Sequence, residues 1–402
     1  MERRDLARLL GADVSVVASD TPVFIADRDR AGFMQRFAAA AAGNGPVFLG
    51  DPGWAENQRP RWEPLVAEAR RRGDPGGERG WLMIPTGGTS GGMRFARHGQ
   101  DTLEAAVRGF RGHFGIERVN AISVLPLYHV SGLLAWLRCA LTGGVHRPWD
   151  WKILEAGERP ALTGGDWVIS LVPTQLQRLL PSPAAVDWLR RFRVISLGGG
   201  PVWPDLADAA AAAGLRISLS YGMTETAAMV AALKPEEFLS GARSVGSALP
   251  HARLSLAEDA AVIVEAASVF HGYYPDWREE RRFETGDLGR FDEHGHLHLL
   301  GRRDAVIITG GKKVQPLEVE AALRASGEFE DVAVLGVPDA EWGEAVVAFY
   351  PATQRAPDSA RAAAALAGYQ RPKHFVAVPD WPRNAQGKVD RSVLRHAWNQ
   401  RR

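Results

Sequence analysis

From residue 101 to residue 220 short apolar runs alternate with longer runs of helical spacing, and this beat admits few architectures. Asp101 to Phe114, Gly132 to Leu141, Thr174 to Leu180 and Leu206 to Ala213 read as helices. Ala121 to Leu125, Trp167 to Val172, Arg193 to Leu197 and Ile217 to Ser220 read as strands between them. Parallel neighbours need long crossovers, usually helical, so the pattern predicts parallel sheets covered by helices. Upstream, Phe33 to Ala42 and Trp62 to Arg72 are expected helices, and Val47 to Leu49 and Trp81 to Ile84 expected strands. From Leu254 to Tyr273 the spacing shortens to strands with turns, as in a small antiparallel subdomain. No repeat of fixed period is present.

A polar joint follows. Thr285-Gly286-Asp287 is expected as a turn, Phe291 to Leu300 as a hairpin turning at Glu293-His294-Gly295, and Gly301-Arg302-Arg303-Asp304 as a break. The strand Ala305 to Thr309 stops at Gly310-Gly311, and Pro316 opens a helix. A glycine-flanked polar segment between two apolar blocks is how a hinge looks in sequence. The expected domains are therefore 1–303, large and α/β with the antiparallel subdomain, and 304–402, a small mobile α+β domain. In the latter Val332 to Val337, Ala345 to Tyr350 and His374 to Val378 are further strands. Leu317 to Ala325, Ser359 to Leu366 and Ser392 to Trp398 are its helices.

The chain has 402 residues, 46% hydrophobic and 24% charged, which is the composition of a soluble globular protein. A formal net charge of +1 gives no support to nucleic-acid or anionic-membrane binding. Cys139 is the single cysteine, so no internal disulfide can form, which fits a reducing compartment. The segment MERRDLARLL lacks the apolar run of a secretory signal, and Val130 to Leu141 is too short and too charged to span a bilayer. A cytoplasmic protein without stable membrane insertion is expected.

The densest chemistry lies in Pro85-Thr86-Gly87-Gly88-Thr89-Ser90-Gly91-Gly92. Glycines let backbone N–H groups crowd round an anion, hydroxyls add donors, and Arg94 adds a fixed cation suited to phosphate oxygens. Met93-Arg94 stands where a Walker A loop needs Lys-Ser/Thr, and Trp203 where a dinucleotide fingerprint after Gly198 needs its third glycine. By itself such a loop is as often a plain connection as a phosphate site.

This loop, followed in order by Ser220-Tyr221-Gly222-Met223-Thr224-Glu225, Thr285-Gly286-Asp287, Gly301-Arg302-Arg303-Asp304 and Asn384-Ala385-Gln386-Gly387-Lys388, resembles the adenylate-forming superfamily of acyl-CoA synthetases, adenylation domains and luciferases. Each motif is weak; five in order, spread over about three quarters of the chain, are specific. Within that superfamily the segments Pro126 to Leu133 and Ser170 to Leu180 look most like those of the 2-succinylbenzoate–CoA ligases of menaquinone and phylloquinone synthesis.

The resemblance implies ATP, Mg²⁺ and CoA, an aromatic carboxylic acid as the acyl substrate, and AMP and pyrophosphate as products. It implies that Lys388 bridges the carboxylate and the α-phosphate, and that Glu225 binds Mg²⁺ with Thr224 beside it. Tyr221 would stack on adenine, beside the backbone of Gly198, Gly199, Gly200 and Pro201, with Ser220, Gly222 and Met223 completing the wall. Thr86, Gly87, Gly88, Thr89, Ser90, Gly91 and Arg94 would hold phosphates, and Asp287 and Arg302 the ribose. His129, Ser131, Gly132, Gly198 and Gly199 would line the acyl pocket. Asp304 would be the hinge, and Gly310, Gly311 and Lys312 the CoA channel, with a homodimer possible. Residue by residue, plainer readings stand beside these: a core tyrosine, a helix start at Thr224-Glu225, solvated surface lysines. His294, His296 and His298 alternate, but Gly295 turns the chain among them, and no metal is expected there.

Two departures stand out. Gly87 takes the place of a serine, and Met93-Arg94-Phe95 that of Pro-Lys-Gly, which changes the reach of the phosphate cation. The region before the loop is also short for the superfamily. Two rival readings therefore remain open at this stage: another aryl- or acyl-CoA ligase or carrier-loading enzyme, and a nucleotide-binding homologue without catalysis.

Overall fold

The computed structural model describes residues 2–14, 20–53, 63–64, 66–69, 79–87, 93–383 and 389–400. They divide into two compact units. One comprises Met1–Gly198, Ala210–Ser255 and Ile263–Phe283, the other Gly199–Ala209, Leu256–Val262 and Glu284–Arg402.

In the first unit, β1 (Val23–Ile25), β2 (Val47–Leu49), β3 (Leu82–Gly87) and β4 (Met93–His98) form one sheet in that order. The first three are parallel and β4 returns antiparallel, pairing Thr86 with Arg94 and Gly87 with Met93. The glycine loop thus joins two strands that pair up to Gly87 and Met93. The sequence hides β4 because Arg94 and Arg97 interrupt its apolar signal, although Phe95 and Ala96 are fully buried.

The second sheet of this unit holds β5 (Asn120–Ser123), β6 (His146–Pro148), β7 (Trp167–Leu171), β8 (Val194–Leu197), β9 (Ile217–Met223), β10 (Ala228–Ala232) and β11 (Ser247–Ala248). Their order is β11-β10-β9-β8-β7-β5-β6, with β5 to β9 parallel and β10 and β11 antiparallel at the edge. All four residues of β8 are buried, as expected where helices cover both faces. The helix Gln100–Phe114 shows how: Leu103, Ala106 and Val107 pack into one core with Leu133, Leu134 and Leu137 of the helix Val130–Thr142. One turn on, Phe110 and Phe114 enter a second core with Val168 and Val194. Both helices end on a left-handed glycine, Gly115 (φ 60°) and Gly143 (φ 67°), where a side chain would be strained.

Four further strands, β12 (Ala252–Leu256), β13 (Ala261–Ala266), β14 (Arg282–Phe291) and β15 (Leu297–Arg302), follow one another in a sheet. Thr285-Gly286-Asp287 is not a turn: it lies within β14, and Asp287 pairs with Arg302. Two polar residues around a glycine look like a turn locally, but the partner strand supplies the ladder bonds that keep them extended. The polar break begins only at Arg303, since Gly301 and Arg302 still belong to β15.

In the second unit β16 (Ile307–Thr309) and β17 (Lys312–Val314) form a hairpin closed by Gly310 (φ 53°) and Gly311 (φ 73°). Two successive positive φ values make the tight turn that matches strand twist, so glycine is favoured at both. β18 (Ala333–Asp339) runs antiparallel to β19 (Gly343–Pro351), and β20 (His374–Val378) lies parallel to β19. Val334, Val346 and Ala348 share a core with Val319 and Leu323 of the helix Pro316–Ala325. Leu335, Val337, Val347 and Phe349 share another with Leu394 of the helix Arg391–Asn399. Strand alternation therefore feeds two helices, one per face.

Candidate active site

In the first unit, β9 carries Ser220, Tyr221, Gly222 and Met223 into a single 3₁₀ turn, Thr224–Thr226. The helix start expected here is no more than this turn. A Cβ on Gly222 would lie 1.9 Å from the Ala228 carbonyl oxygen, so only glycine lets β9 and β10 close. Tyr221 is 5% exposed. Just beyond Glu225, Ala227 (φ 50°) and Ala228 (φ 76°) are both left-handed, which costs on the order of 1–3 kcal/mol each. Thr226 holds the strained segment: its hydroxyl accepts from Met223 N–H at 3.0 Å and donates to the Ala228 carbonyl at 2.7 Å.

His98 fastens this turn from outside. Its Nε2 lies 2.7 Å from the Thr224 carbonyl oxygen and its Nδ1 3.1 Å from Thr102 Oγ1. Complete burial pulls the imidazole down to about 4, so it is neutral near pH 7. A carbonyl only accepts, which puts the proton on Nε2. Nδ1 faces the Thr102 hydroxyl, which accepts the Gly99 N–H at 3.2 Å and donates to the Gly99 carbonyl at 2.9 Å.

The carboxylate of Glu225 is aimed by Tyr273, whose hydroxyl donates to Oε1 at 2.7 Å, while Phe270 N–H donates to the Glu225 carbonyl at 2.9 Å. The guanidinium of Arg94, exposed on β4, lies over the same Tyr273 ring at 4.2 Å. A cation and a carboxylate are thus mounted on one aromatic ring beside the glycine hairpin. Among the described residues no group of three His, Cys, Asp or Glu converges on a metal-sized space. A single hard carboxylate fits Mg²⁺ nonetheless, because that ion completes its shell with water and substrate phosphate oxygens.

Thr86, 8% exposed on β3, has an Oγ1 without a hydrogen-bond partner among the described residues. Gly87 ends that strand, and Gly88, Thr89, Ser90 and Gly91 lie outside the described residues. His129 caps the helix Val130–Thr142, with its ring 4.6 Å from that of Tyr128. Ser131 and Gly132 follow in the first turn, and a Cβ on Gly132 would lie 2.1 Å from the Pro126 carbonyl oxygen, so close packing alone requires that glycine. Arg30 donates to the carbonyls of Ser123 and Val124 at 2.7 and 2.8 Å, fixing the end of β5 from which this segment departs. At the end of β8, a Cβ on Gly198 would come within 2.9 Å of Ser220 Oγ.

In the second unit, Gly199 is left-handed (φ 81°) and is followed by Gly200 and Pro201. Arg302 lies between two carboxylates, reaching Asp287 Oδ1 at 3.4 Å and Asp304 at 3.1 and 3.2 Å. A Cβ on Gly286 would lie 2.5 Å from the Arg302 guanidinium, so the two residues pack closely. At the β16–β17 hairpin, Gly310 N–H donates to the Trp342 carbonyl at 2.8 Å, and Lys312 and Lys313 are exposed. Lys388 lies outside the described residues, but its flanks are tied: Arg383 bridges Val389, and Asp390 N–H donates to the Pro382 carbonyl at 3.0 Å. Arg391 is anchored on Glu320 at 2.5 Å and on the Val334 carbonyl at 2.7 Å. Of the three alternating histidines, His298 bonds Asp292 at 2.9 Å, holding that carboxyl down to about 2.

Tyr273, His98 and Arg30 are the residues that sequence reasoning missed. Nothing local distinguishes them: Tyr273 sits in an aromatic Tyr-Tyr-Pro run, His98 at a strand end, Arg30 among scattered charges.

A helix-covered parallel sheet with a Thr-Glu turn at its carboxyl side and a glycine hairpin beside it defines an adenylate-forming fold. The chain belongs to the AMP-binding enzyme family, whose profile matches residues 38–274, more than half of its length. The AMP-binding enzyme C-terminal domain matches residues 318–388. It is 31% identical to a 2-succinylbenzoate–CoA ligase of Enterococcus faecalis over 76% of this chain and 67% of that one. It is 34% identical to the enzyme of that name from Geobacillus kaustophilus, over 69% and 61%. The matched stretch thus spans about two thirds or less of these relatives. Among solved structures it is similar to the o-succinylbenzoate CoA synthetase of Bacillus subtilis with its acyl-adenylate (TM-score 0.76, 23% identity, 98% and 91% covered). ATP-bound MatB of Rhodopseudomonas palustris is comparably similar (TM-score 0.77, 24% identity, 98% and 92% covered).

Proposed function

We propose that this protein joins 2-succinylbenzoate to CoA through an acyl-adenylate, releasing AMP and pyrophosphate, as a cytoplasmic step of menaquinone or phylloquinone synthesis. The relatives' shared name supports the substrate. The arrangement of Arg94, Tyr273 and Glu225 carries the chemistry, because it pairs a phosphate cation with a metal-binding carboxylate in one unit of the fold. No helix among the described residues is long and apolar enough to cross a membrane.

A carboxylate acylates poorly because its oxygen leaves poorly. Its attack on the α-phosphate of ATP turns that oxygen into part of AMP, with pyrophosphate leaving on the opposite side. An anion must therefore approach a polyanion, and stabilising converging charge is the task of the site. Thr86 and Arg94 take phosphate oxygens, Asp287 accepts from the ribose hydroxyls, and Lys388 spans the two reacting anions. Glu225 would hold Mg²⁺, which supplies charge neutralisation on the triphosphate. His129 stands between the phosphate loop and the acyl group.

In the second half-reaction the CoA sulfur attacks the acyl carbonyl carbon and AMP leaves. Lys388 must withdraw to admit the thiol, so we assign residues 304–402 as a domain that turns at Asp304. It presents Lys388 first and the Gly310-Gly311 hairpin with Lys312 second. An assay of acid-dependent AMP and thioester formation with 2-succinylbenzoate, benzoate and a fatty acid tests the reading. Preference for 2-succinylbenzoate is expected; equal or better turnover of either other acid would replace the substrate. No pyrophosphate exchange with any acid would remove the activity.

A further inference from the structure

The loop Gly272-Tyr273-Tyr274 lies against β4: Ala96 bridges Tyr273, Tyr274 N–H donates to the Phe95 carbonyl at 2.9 Å, and Arg97 N–H to the Gly272 carbonyl at 2.9 Å. Arg94 is two residues from Ala96 on the same strand face, so its guanidinium meets the Tyr273 ring as a diagonal cross-strand neighbour. Phe270 packs edge-on against that ring at 4.8 Å, and is itself braced by Phe283 at 5.2 Å. Between a cation and a buried phenylalanine the ring has little freedom, and the direction of its hydroxyl follows. That hydroxyl meets Oε1 of Glu225.

From this geometry we infer that Tyr273 is a positioning residue for metal-bound nucleotide, acting through Glu225 with its hydroxyl and through Arg94 with its ring. By taking Oε1 it turns Oε2 toward the metal, and by seating the guanidinium it sets where the phosphate cation stands. The ring supplies what a fully extended arginine lacks, a fixed resting place for a long and flexible side chain. The two roles are separable because phenylalanine keeps the ring and loses only the hydroxyl. The inference rests on the reading of Glu225 and Arg94 given above, and it concerns binding, not turnover.

The test is calorimetric titration of the full chain with a non-hydrolysable ATP analogue, with and without Mg²⁺, joined to Mn²⁺ titration followed by electron paramagnetic resonance. For Tyr273→Phe, metal-free nucleotide affinity should stay within about twofold, while the metal concentration for half-saturation rises about tenfold, the effect of losing one hydrogen bond to a charged group. For Tyr273→Leu, which also removes the ring, metal-free affinity should fall as well. Arg94→Ala should reproduce that second loss without the first. Thermal unfolding of each variant separates these effects from misfolding, and Tyr273→Phe is the variant least disposed to unfold. If wild-type protein binds the analogue in a metal-dependent way and Tyr273→Phe matches it, the inference falls while the functional reading stands. If wild-type protein shows no metal-dependent nucleotide binding, both fall. If it binds but activates no acid, only the functional reading falls.

Discussion

Arg302 grips Asp304 through two parallel hydrogen bonds, Nε to Oδ1 at 3.1 Å and Nη2 to Oδ2 at 3.2 Å. The same guanidinium reaches Asp287 Oδ1 at 3.4 Å, so one side chain links the carboxylate assigned to the ribose and the residue assigned to the hinge. All three belong to one unit of the fold. Lysine keeps the charge but not the fork. Arg302→Lys should raise the KM for ATP about tenfold, the effect of a lost charged hydrogen bond, with little change in melting temperature because half-exposed ion pairs contribute little. Steady-state kinetics and a thermal melt check this; an unchanged KM would release Arg302 from the nucleotide.

Lys388 is expected to serve one half-reaction only. Lys388→Ala should cut adenylation by about a hundredfold or more, the scale of removing one transition-state charge partner. Thioester formation from supplied acyl-adenylate should largely persist. Measuring the two half-reactions separately decides it, and equal loss in both would argue against the assigned role.

Thr86 Oγ1 is buried without a hydrogen-bond partner among the described residues, an arrangement that costs stability unless a ligand fills it. Thr86→Val removes the hydroxyl at nearly constant shape. Nucleotide affinity should fall severalfold, by about 1 kcal/mol, while the ligand-free protein melts no lower than wild type. A loss of melting temperature without a loss of affinity would assign the hydroxyl to the fold instead.

Burial holds His98, His146 and His251 down to about 4, against an ordinary value of 6.5. The unfolded chain therefore binds protons below pH 6.5 that the folded chain refuses until about pH 4. Stability should fall as pH drops through that window and level off beneath it, by on the order of 3 kcal/mol from His98 alone. Urea melts between pH 4 and pH 7 should show the slope, and His98→Gln should reduce it while keeping an N–H for the Thr224 carbonyl. A slope unchanged in the variant would mean that His98 titrates alike in the folded and unfolded chain.

Elements whose signal is carried by their own side chains were legible. Val47–Leu49 and His374–Val378 match their expected bounds, because β-branched and aromatic residues concentrate there. The helix Gln100–Phe114 begins one residue from its expected start. Elements defined by a partner were not: β4 is a strand because β3 pairs with it, and Asp287 is extended where it pairs with Arg302 of β15.

The candidate site divides the same way. Thr86, Glu225, Asp287 and Arg302 were proposed from short motifs, each a few consecutive residues long, and the structure brings Asp287 and Arg302 together across paired strands. Tyr273 and His98 were not, because each acts on a residue more than forty positions away and neither has a neighbour that marks it.

By itself, the sequence determined the parallel-sheet plan, the order of the motifs and the chemistry each can do, because apolar spacing and residue type are local properties. Only the tertiary structure decided which groups aim them. The orientation of Glu225 and the seating of Arg94 depend on a ring brought across from a distant loop, and that proximity exists only once the backbone has closed around it.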